Sequence, residues 1–264
     1  MSKNIELDKF YTPNEIAKKC IDLTFKTFDN ITEVIEPSAG EGAFSLQIPN
    51  CIAYDIVPEH ESVKEQDFLK LKLPYKKGRL IIGNPPFGDR NNLARTFYKH
   101  SCKMAEYIGF ILPIGLLNNT DSLYELDLIE SVDLGILEYS GMKVHCCFNL
   151  YRIPQNGKLN SKPNYKIDYI KIYREDNKGY NDLDYDFAIC RRGAIGKIKT
   201  DNLNKQTYKI KVTKPEYLDL VKATITNNDW YDKNYCSSPY ITKNDVWKLF
   251  NPNCFEKAKE RGLF

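Results

Sequence analysis

Leu80-Ile81-Ile82-Gly83-Asn84-Pro85-Pro86-Phe87 is a short apolar run that stops at a proline pair. Its composition and length predict a buried strand that ends in a bend. Similar runs lie on either side. Glu33-Val34-Ile35-Glu36 predicts a first strand, which runs into Pro37-Ser38-Ala39-Gly40-Glu41-Gly42. Ile52 to Ile56 predicts a second, and Gln66-Asp67-Phe68-Leu69 is expected to follow a third. Leu80–Gly83 is then strand four, and Ile108–Leu112 another buried strand. Helical patterns alternate with them. Thr12-Pro13-Asn14-Glu15 reads as a capping box, with Thr12 at N-cap and Pro13 at N1. Ile16, Cys20, Ile21, Phe25 and Phe28 follow at helical spacing. Further helices are expected near Ala43, over Asn92–Tyr107 and over Asp121–Ser131, with strands near Leu134–Tyr139 and Val144–Ile153. This alternation predicts an α/β fold with a Rossmann-like parallel sheet, covered by helices on both faces.

The pattern changes after Pro154. Gln155–Asn164 is rich in Asn, Gly, Lys, Ser and Pro, as expected of a linker. Beyond it come short β-like runs at Ile167–Tyr173, Phe187–Cys190 and Tyr208–Val212, without clear helices. The expected division is therefore 1–153 for the sheet domain and 154–264 for a smaller, β-rich C-terminal region.

Charge follows the same division. Residues 1–150 carry 16 Lys/Arg against 21 Asp/Glu, a net of −5, whereas 151–264 carry 22 against 14, a net of +8. A basic part joined to an acidic part suggests a polyanion for the basic one, though a solvated basic face has the same composition. The densest cluster is Arg191-Arg192-Gly193-Ala194-Ile195-Gly196-Lys197-Ile198-Lys199. Arg191, Arg192, Lys197 and Lys199 are the candidate phosphate ligands, with Gly193 and Gly196 allowing close backbone approach. Lys205, Lys209, Lys211 and Lys214 extend the run.

The eight cysteines are scattered and none forms a C-x-x-C pair. With only three histidines, no zinc site or other metal is expected. Buried free thiols fit a reducing compartment. No apolar run reaches the length of a membrane span, and the first residues lack a secretory pattern. The expected location is the cytoplasm or a host-cell interior.

Asn84 and Pro85 suit one chemical task. An exocyclic amine on an aromatic ring is a poor nucleophile because its lone pair is spread into the ring. Two acceptors aimed at its N–H bonds hold the nitrogen toward tetrahedral geometry and free that pair. The Asn84 side-chain oxygen and the Pro85 carbonyl are candidates, stiffened by the prolines, and Phe87 offers a stacking face. Other candidates fall at neighbouring strand ends, where open α/β sheets bind ligands. Gly40 and Gly42 let backbone approach a ligand. Asp55 reads either as an acceptor for ribose hydroxyls or as a solvated strand end. Asp67 reads as an acceptor for an adenine amine, with Phe68 against the ring.

The ordered set Phe10-Tyr11-Thr12-Pro13, Glu36-Pro37-Ser38-Ala39-Gly40-Glu41-Gly42, Asp55, Asp67-Phe68 and Asn84-Pro85-Pro86-Phe87 resembles the gamma-type adenine-N6 DNA methyltransferases. The resemblance covers residues 10 to about 153. It implies a class I methyltransferase sheet and S-adenosyl-L-methionine as cofactor. It implies Tyr11, Thr12, Glu36, Gly40, Gly42, Asp55, Asp67, Phe68 and Asn84 around that cofactor. It also implies Asn84, Pro85 and Phe87 at an adenine flipped out of double-stranded DNA. Tyr139 is the match for the family's second stacking aromatic, with Phe148 as the alternative inside an apolar run. Any restriction endonuclease partner is expected to be a separate chain. Two departures stand out. Pro49 lies seven residues past Gly42, and little room for a helix remains between Asp55 and Asp67, so a trimmed sheet domain is expected. Other readings are an RNA adenine methyltransferase, a glutamine-N5 protein methyltransferase and a catalytically silent nucleic-acid-binding module.

Overall fold

The computed structural model describes residues 11–139, 142–201, 203, 206–230 and 240–250, with Tyr139 described in its backbone alone. The chain divides into two compact units, 1–163 and 164–264.

The first unit is built on a seven-stranded sheet: β1 (Glu33–Glu36), β2 (Ile52–Asp55), β3 (Val63–Glu65), β4 (Lys76–Gly83), β5 (Ala105–Pro113), β6 (Asp127–Tyr139) and β7 (Met142–Arg152). Their order is β3-β2-β1-β4-β5-β7-β6. The first five run parallel, and β7 is antiparallel to both its neighbours. This is the α/β, Rossmann-like sheet expected from the alternating pattern. Leu80, Ile81 and Ile82 of β4 are fully buried, as a central strand covered on both faces requires.

Helices are few. α1 (Asn14–Thr27) and α2 (Asn92–Ser101) flank the sheet, and only one turn of 3₁₀ helix, Ser45–Gln47, lies between β1 and β2. No helix separates β2 from β3, so the sheet domain is trimmed where the sequence has no room.

Three local expectations are corrected. α1 begins after Pro13, but no side chain caps it; the Thr12 hydroxyl is engaged elsewhere. Its buried face is Ala17, Cys20, Ile21 and Thr24, whereas Phe25 is 43 % exposed. The helix expected over Asp121–Ser131 is absent. Residues from Asp127 belong to β6, which pairs with β7 along its whole length through two register shifts. Non-local pairing outweighs a local helical spacing there. The helix from Asn92 ends at Ser101, because Ala105 already pairs with Lys76 in the sheet.

The second unit holds a three-stranded antiparallel sheet in the order β8-β10-β9: β8 (Ile170–Tyr173), β9 (Phe187–Cys190) and β10 (Thr207–Val212). Two helices without a clear signal in the sequence, α3 (Leu218–Asn227) and α4 (Lys243–Lys248), contribute Val221, Ile225 and Val246 to its core. α4 has a complete capping box between Thr242 and Asp245. The six described cysteines are all free thiols. Among the described residues, no helix is long and apolar enough to cross a membrane.

Candidate active site

Strand order reverses on either side of β1, which places a crevice beyond the carboxyl ends of β1, β2 and β4. A cavity of about 420 Å³ lies there, within the size range of small-molecule sites. Tyr11, Thr12, Glu36, Gly40, Asp55, Asp67, Phe68, Asn84 and Pro85 all line it. Residues far apart in the sequence thus meet in one pocket of the first unit.

Asn84 follows β4 directly. Its amide nitrogen donates to the Thr12 hydroxyl oxygen at 3.1 Å, which orients the side-chain carbonyl as the acceptor end. Its backbone carbonyl accepts from the Ser38 hydroxyl at 3.2 Å. The segment before α1 and the glycine loop therefore both hold Asn84. Pro85 and Pro86 continue the wall, but Phe87 does not line the cavity. Phe87 is 7 % exposed and packs in the core, while its carbonyl accepts from the Leu93 and Ala94 amides. Gly88 then turns the chain at φ +66°, where a Cβ would sit 2.7 Å from that of Leu93, so no larger residue fits.

At the end of β1, Glu36 is 2 % exposed, and its carboxylate accepts from the amides of Ser45 at 2.7 Å and Phe44 at 3.4 Å. Burial pushes its pKa up from an ordinary 4.5 to about 7, although those two amides favour the ionised form. The folded protein therefore holds a proton that the unfolded chain has released across this interval. Stability should fall as pH rises from about 4.5 to about 7 and level off above that. Urea titrations across this range check it: the slope should disappear in Glu36→Gln, and an identical profile in both proteins would mean that Glu36 is ionised when folded.

Asp55 accepts from the Gly40 amide and from the Val57 amide, both at 2.8 Å. Gly42 closes the turn by donating to the Ala39 carbonyl and is not among the lining residues. Asp67 caps the single turn Phe68–Lys70 by accepting from the Leu69 amide at 3.0 Å, and pairs with Lys70 at 3.2 Å. Phe68 is 1 % exposed, stacked on Phe97 at 5.4 Å between centroids, yet contributes to the lining. One lining residue, Glu59, belongs to none of the sequence motifs. It lines the cavity, its amide donates to the Gly40 carbonyl, and both its carboxylate oxygens accept from the Tyr11 hydroxyl. The available signal was its place four residues after Asp55, on the loop leaving β2. Tyr139 ends β6, and its side chain lies outside the described residues; Phe148 is fully buried in the core.

The basic cluster of the second unit is heterogeneous. Arg192 and Lys197 are exposed, Lys199 is half-buried, and Arg191 is half-buried with its guanidinium over Tyr208 at 5.4 Å and Tyr240 at 5.9 Å. Gly196 is buried at φ +75°, where a Cβ would lie 2.2 Å from Trp230 Nε1, so internal packing accounts for this glycine. Lys209 does not extend the surface run: it is 4 % exposed and donates to the carbonyls of Tyr180 and Asn181. Lys211 is paired with Asp184 and Asp186, and Lys205 lies outside the described residues.

No family model matches the chain. Two curated relatives from Haemophilus influenzae, the type II methyltransferases M.HincII and M.HindII, are each 34 % identical over 103 residues. That match covers 35 % of this chain, 20 % of M.HincII and 19 % of M.HindII, so the chain spans about a fifth of the curated relatives it matches. Among solved structures, the 23S rRNA methyltransferase ErmE is 15 % identical over 56 % of this chain and 70 % of its own, with a TM-score of 0.42. The N-methyltransferase NodS from Bradyrhizobium japonicum, in complex with S-adenosyl-L-homocysteine, is 16 % identical over 59 % of this chain and 94 % of its own, with a TM-score of 0.41.

Proposed function

We propose that this chain transfers a methyl group from S-adenosyl-L-methionine to N6 of an adenine in DNA. The observation that carries the reading is the convergence of Asn84 and Pro85, from the amine-activating tetrapeptide, with Gly40, Asp55, Asp67 and Phe68 on one cavity. The similarity to two type II methyltransferases supports the same reaction class.

The residues present suit the cofactor. Phe68, Leu69 and Ile56 offer apolar walls for a purine, Asp67 an acceptor for its amine, and the Gly40 turn a close backbone approach. Tyr11, Thr12, Glu36 and Gly40 belong to the methionine end on this reading, with Gly42 closing the turn that carries Gly40. When bound, S-adenosyl-L-methionine supplies an electrophilic sulfonium methyl group. The chain's own part is positioning. The Asn84 side-chain oxygen and the Pro85 carbonyl accept from the two N6 hydrogens and turn the nitrogen lone pair outward. Their dipoles also stabilise the positive charge that develops on N6. The proton leaves later to water, so no dedicated base is required. The adenine must be extruded to reach the cavity. A stacking role for Phe87 requires its ring to leave the core on binding, and Tyr139 is the proposed second face.

Transfer of labelled methyl groups to duplex DNA, RNA and a glutamine peptide tests the assignment. Label on DNA adenine is expected. Label on RNA alone, or on the peptide alone, would replace the substrate class, and no cofactor uptake would leave a silent binding module.

The basic cluster is proposed to hold the DNA backbone, with Arg192 and Lys197 as its exposed members and Arg191 and Lys199 half-buried. The double substitution Arg192→Gln, Lys197→Gln should weaken binding to all sequences alike. The log–log salt slope should flatten by about 0.9 for each phosphate that is no longer neutralised. Cofactor affinity should stay constant. An unaltered slope would make the cluster a solvated turn.

A further inference from the structure

We propose that Tyr240 is a positioning residue, whose ring holds the Arg192 guanidinium ready for a backbone phosphate of the nucleic acid. The proposal rests on the phosphate-binding reading of the basic cluster above. Arg192 lies two residues past Cys190, the end of β9, and is exposed. Among the described residues its side chain makes no ion pair and no hydrogen bond. Its charge meets one ring there, that of Tyr240, with the guanidinium carbon 5.5 Å from the centroid. Such a contact draws on the charge of the guanidinium and not on its N–H donors. The five donors of the planar fork therefore stay available, and that fork matches a phosphate bidentately.

The fold fixes Tyr240 in place. Arg192 and Tyr240 face each other in an antiparallel bridge. The next residue, Ile241, is buried; its amide donates to the Arg191 carbonyl at 3.0 Å, and its carbonyl accepts from the Tyr208 hydroxyl at 3.1 Å. Tyr240 itself is 42 % exposed, so core packing does not account for an aromatic residue here. Arg191 lies over Tyr208 as well as Tyr240, so it keeps an aromatic neighbour when Tyr240 is replaced, and Arg192 does not. Two guanidinium groups beside one ring also concentrate positive potential at the surface, which favours an anion. Lys209 is the contrasting case. Its ammonium meets Tyr180 and Tyr185, but it is buried and its donors are spent on the Tyr180 and Asn181 carbonyls. An arginine that takes a phosphate loses rotamer freedom, and a ring that orders it beforehand removes part of that cost.

Binding of a fluorescein-labelled duplex DNA to the full chain, measured across a range of salt, tests this. Tyr240→Leu should weaken binding about three- to tenfold, the effect of ordering one arginine side chain unaided. Its log–log salt slope should flatten by up to about 0.9, the share of one phosphate. Tyr240→Phe keeps the ring and should match wild type in affinity and slope, and all three proteins should melt at the same temperature. Arg192→Gln should weaken binding at least as much as Tyr240→Leu. Combining the two should cost nothing further, because the ring acts only through the guanidinium. Additive losses in the double variant would overturn the proposal, since Tyr240 would then contact the DNA by itself. Tyr240→Phe as weak as Tyr240→Leu would overturn it too, by assigning the effect to the hydroxyl. So would wild-type binding in Tyr240→Leu beside a loss in Arg192→Gln. If Arg192→Gln keeps wild-type affinity and slope, the phosphate reading of Arg192 itself falls, and the role of Tyr240 with it.

Discussion

Asn84→Ala should lower methyl transfer by about a hundredfold or more, with cofactor affinity largely retained. The magnitude is that of removing one preorganised acceptor at a site of developing charge. Two neighbours hold this side chain and its backbone: the Thr12 hydroxyl accepts from the amide nitrogen, and the Ser38 hydroxyl donates to the carbonyl. The orientation of the amide is therefore built in before any base arrives. Thr12→Val removes the anchor but keeps the acceptor, so it should lower kcat by a smaller factor. Single-turnover transfer measured beside cofactor titration separates the two effects. Near wild-type turnover in Asn84→Ala would remove Asn84 from the chemistry.

Asp67→Ala should weaken S-adenosyl-L-homocysteine by about 1–3 kcal/mol, the cost of leaving a buried donor without its acceptor. That corresponds to roughly five- to 150-fold in affinity. Asp67 also caps the turn Phe68–Lys70 through the Leu69 amide, so the alanine variant loses a cap as well. Asp67→Asn keeps a single side-chain oxygen, which can serve the cap or the ligand amine, and should fall between wild type and alanine. Calorimetry on the three proteins, with their melting temperatures, distinguishes ligand binding from capping. Unchanged affinity in Asp67→Ala would take Asp67 out of the site.

These two effects differ in kind. Asn84 is expected to act on rate and Asp67 on affinity, although both residues line one cavity. A general collapse of the pocket would move both readouts in both variants. Their separation is thus a check on the whole arrangement and not only on each residue.

The strands that frame the cavity were legible in the chain. Val34-Ile35, Ala53 and Leu80-Ile81-Ile82 are apolar runs closed by acidic, glycine or proline residues, and such punctuation is local chemistry. Gly40, Asp67 and Asn84 were legible as candidates for the same reason, since each follows a strand, whereas Tyr11 and Thr12 precede α1. Tertiary structure decided the rest. Thr12 has the sequence of a helix cap, but its hydroxyl serves Asn84, 72 residues away. Asp127–Tyr139 pairs with β7 although part of it has helical spacing. Lys209 looks like one more surface charge, yet its ammonium is buried against two carbonyls. Gly196 looks like a phosphate-binding turn, yet Trp230 fills the space above it. Glu59 belongs to no motif and enters the site because its loop folds back on Gly40. Period and punctuation are set by neighbours in the chain. Hydrogen-bond partners, burial and side-chain direction are set by residues that only folding brings within a few ångströms.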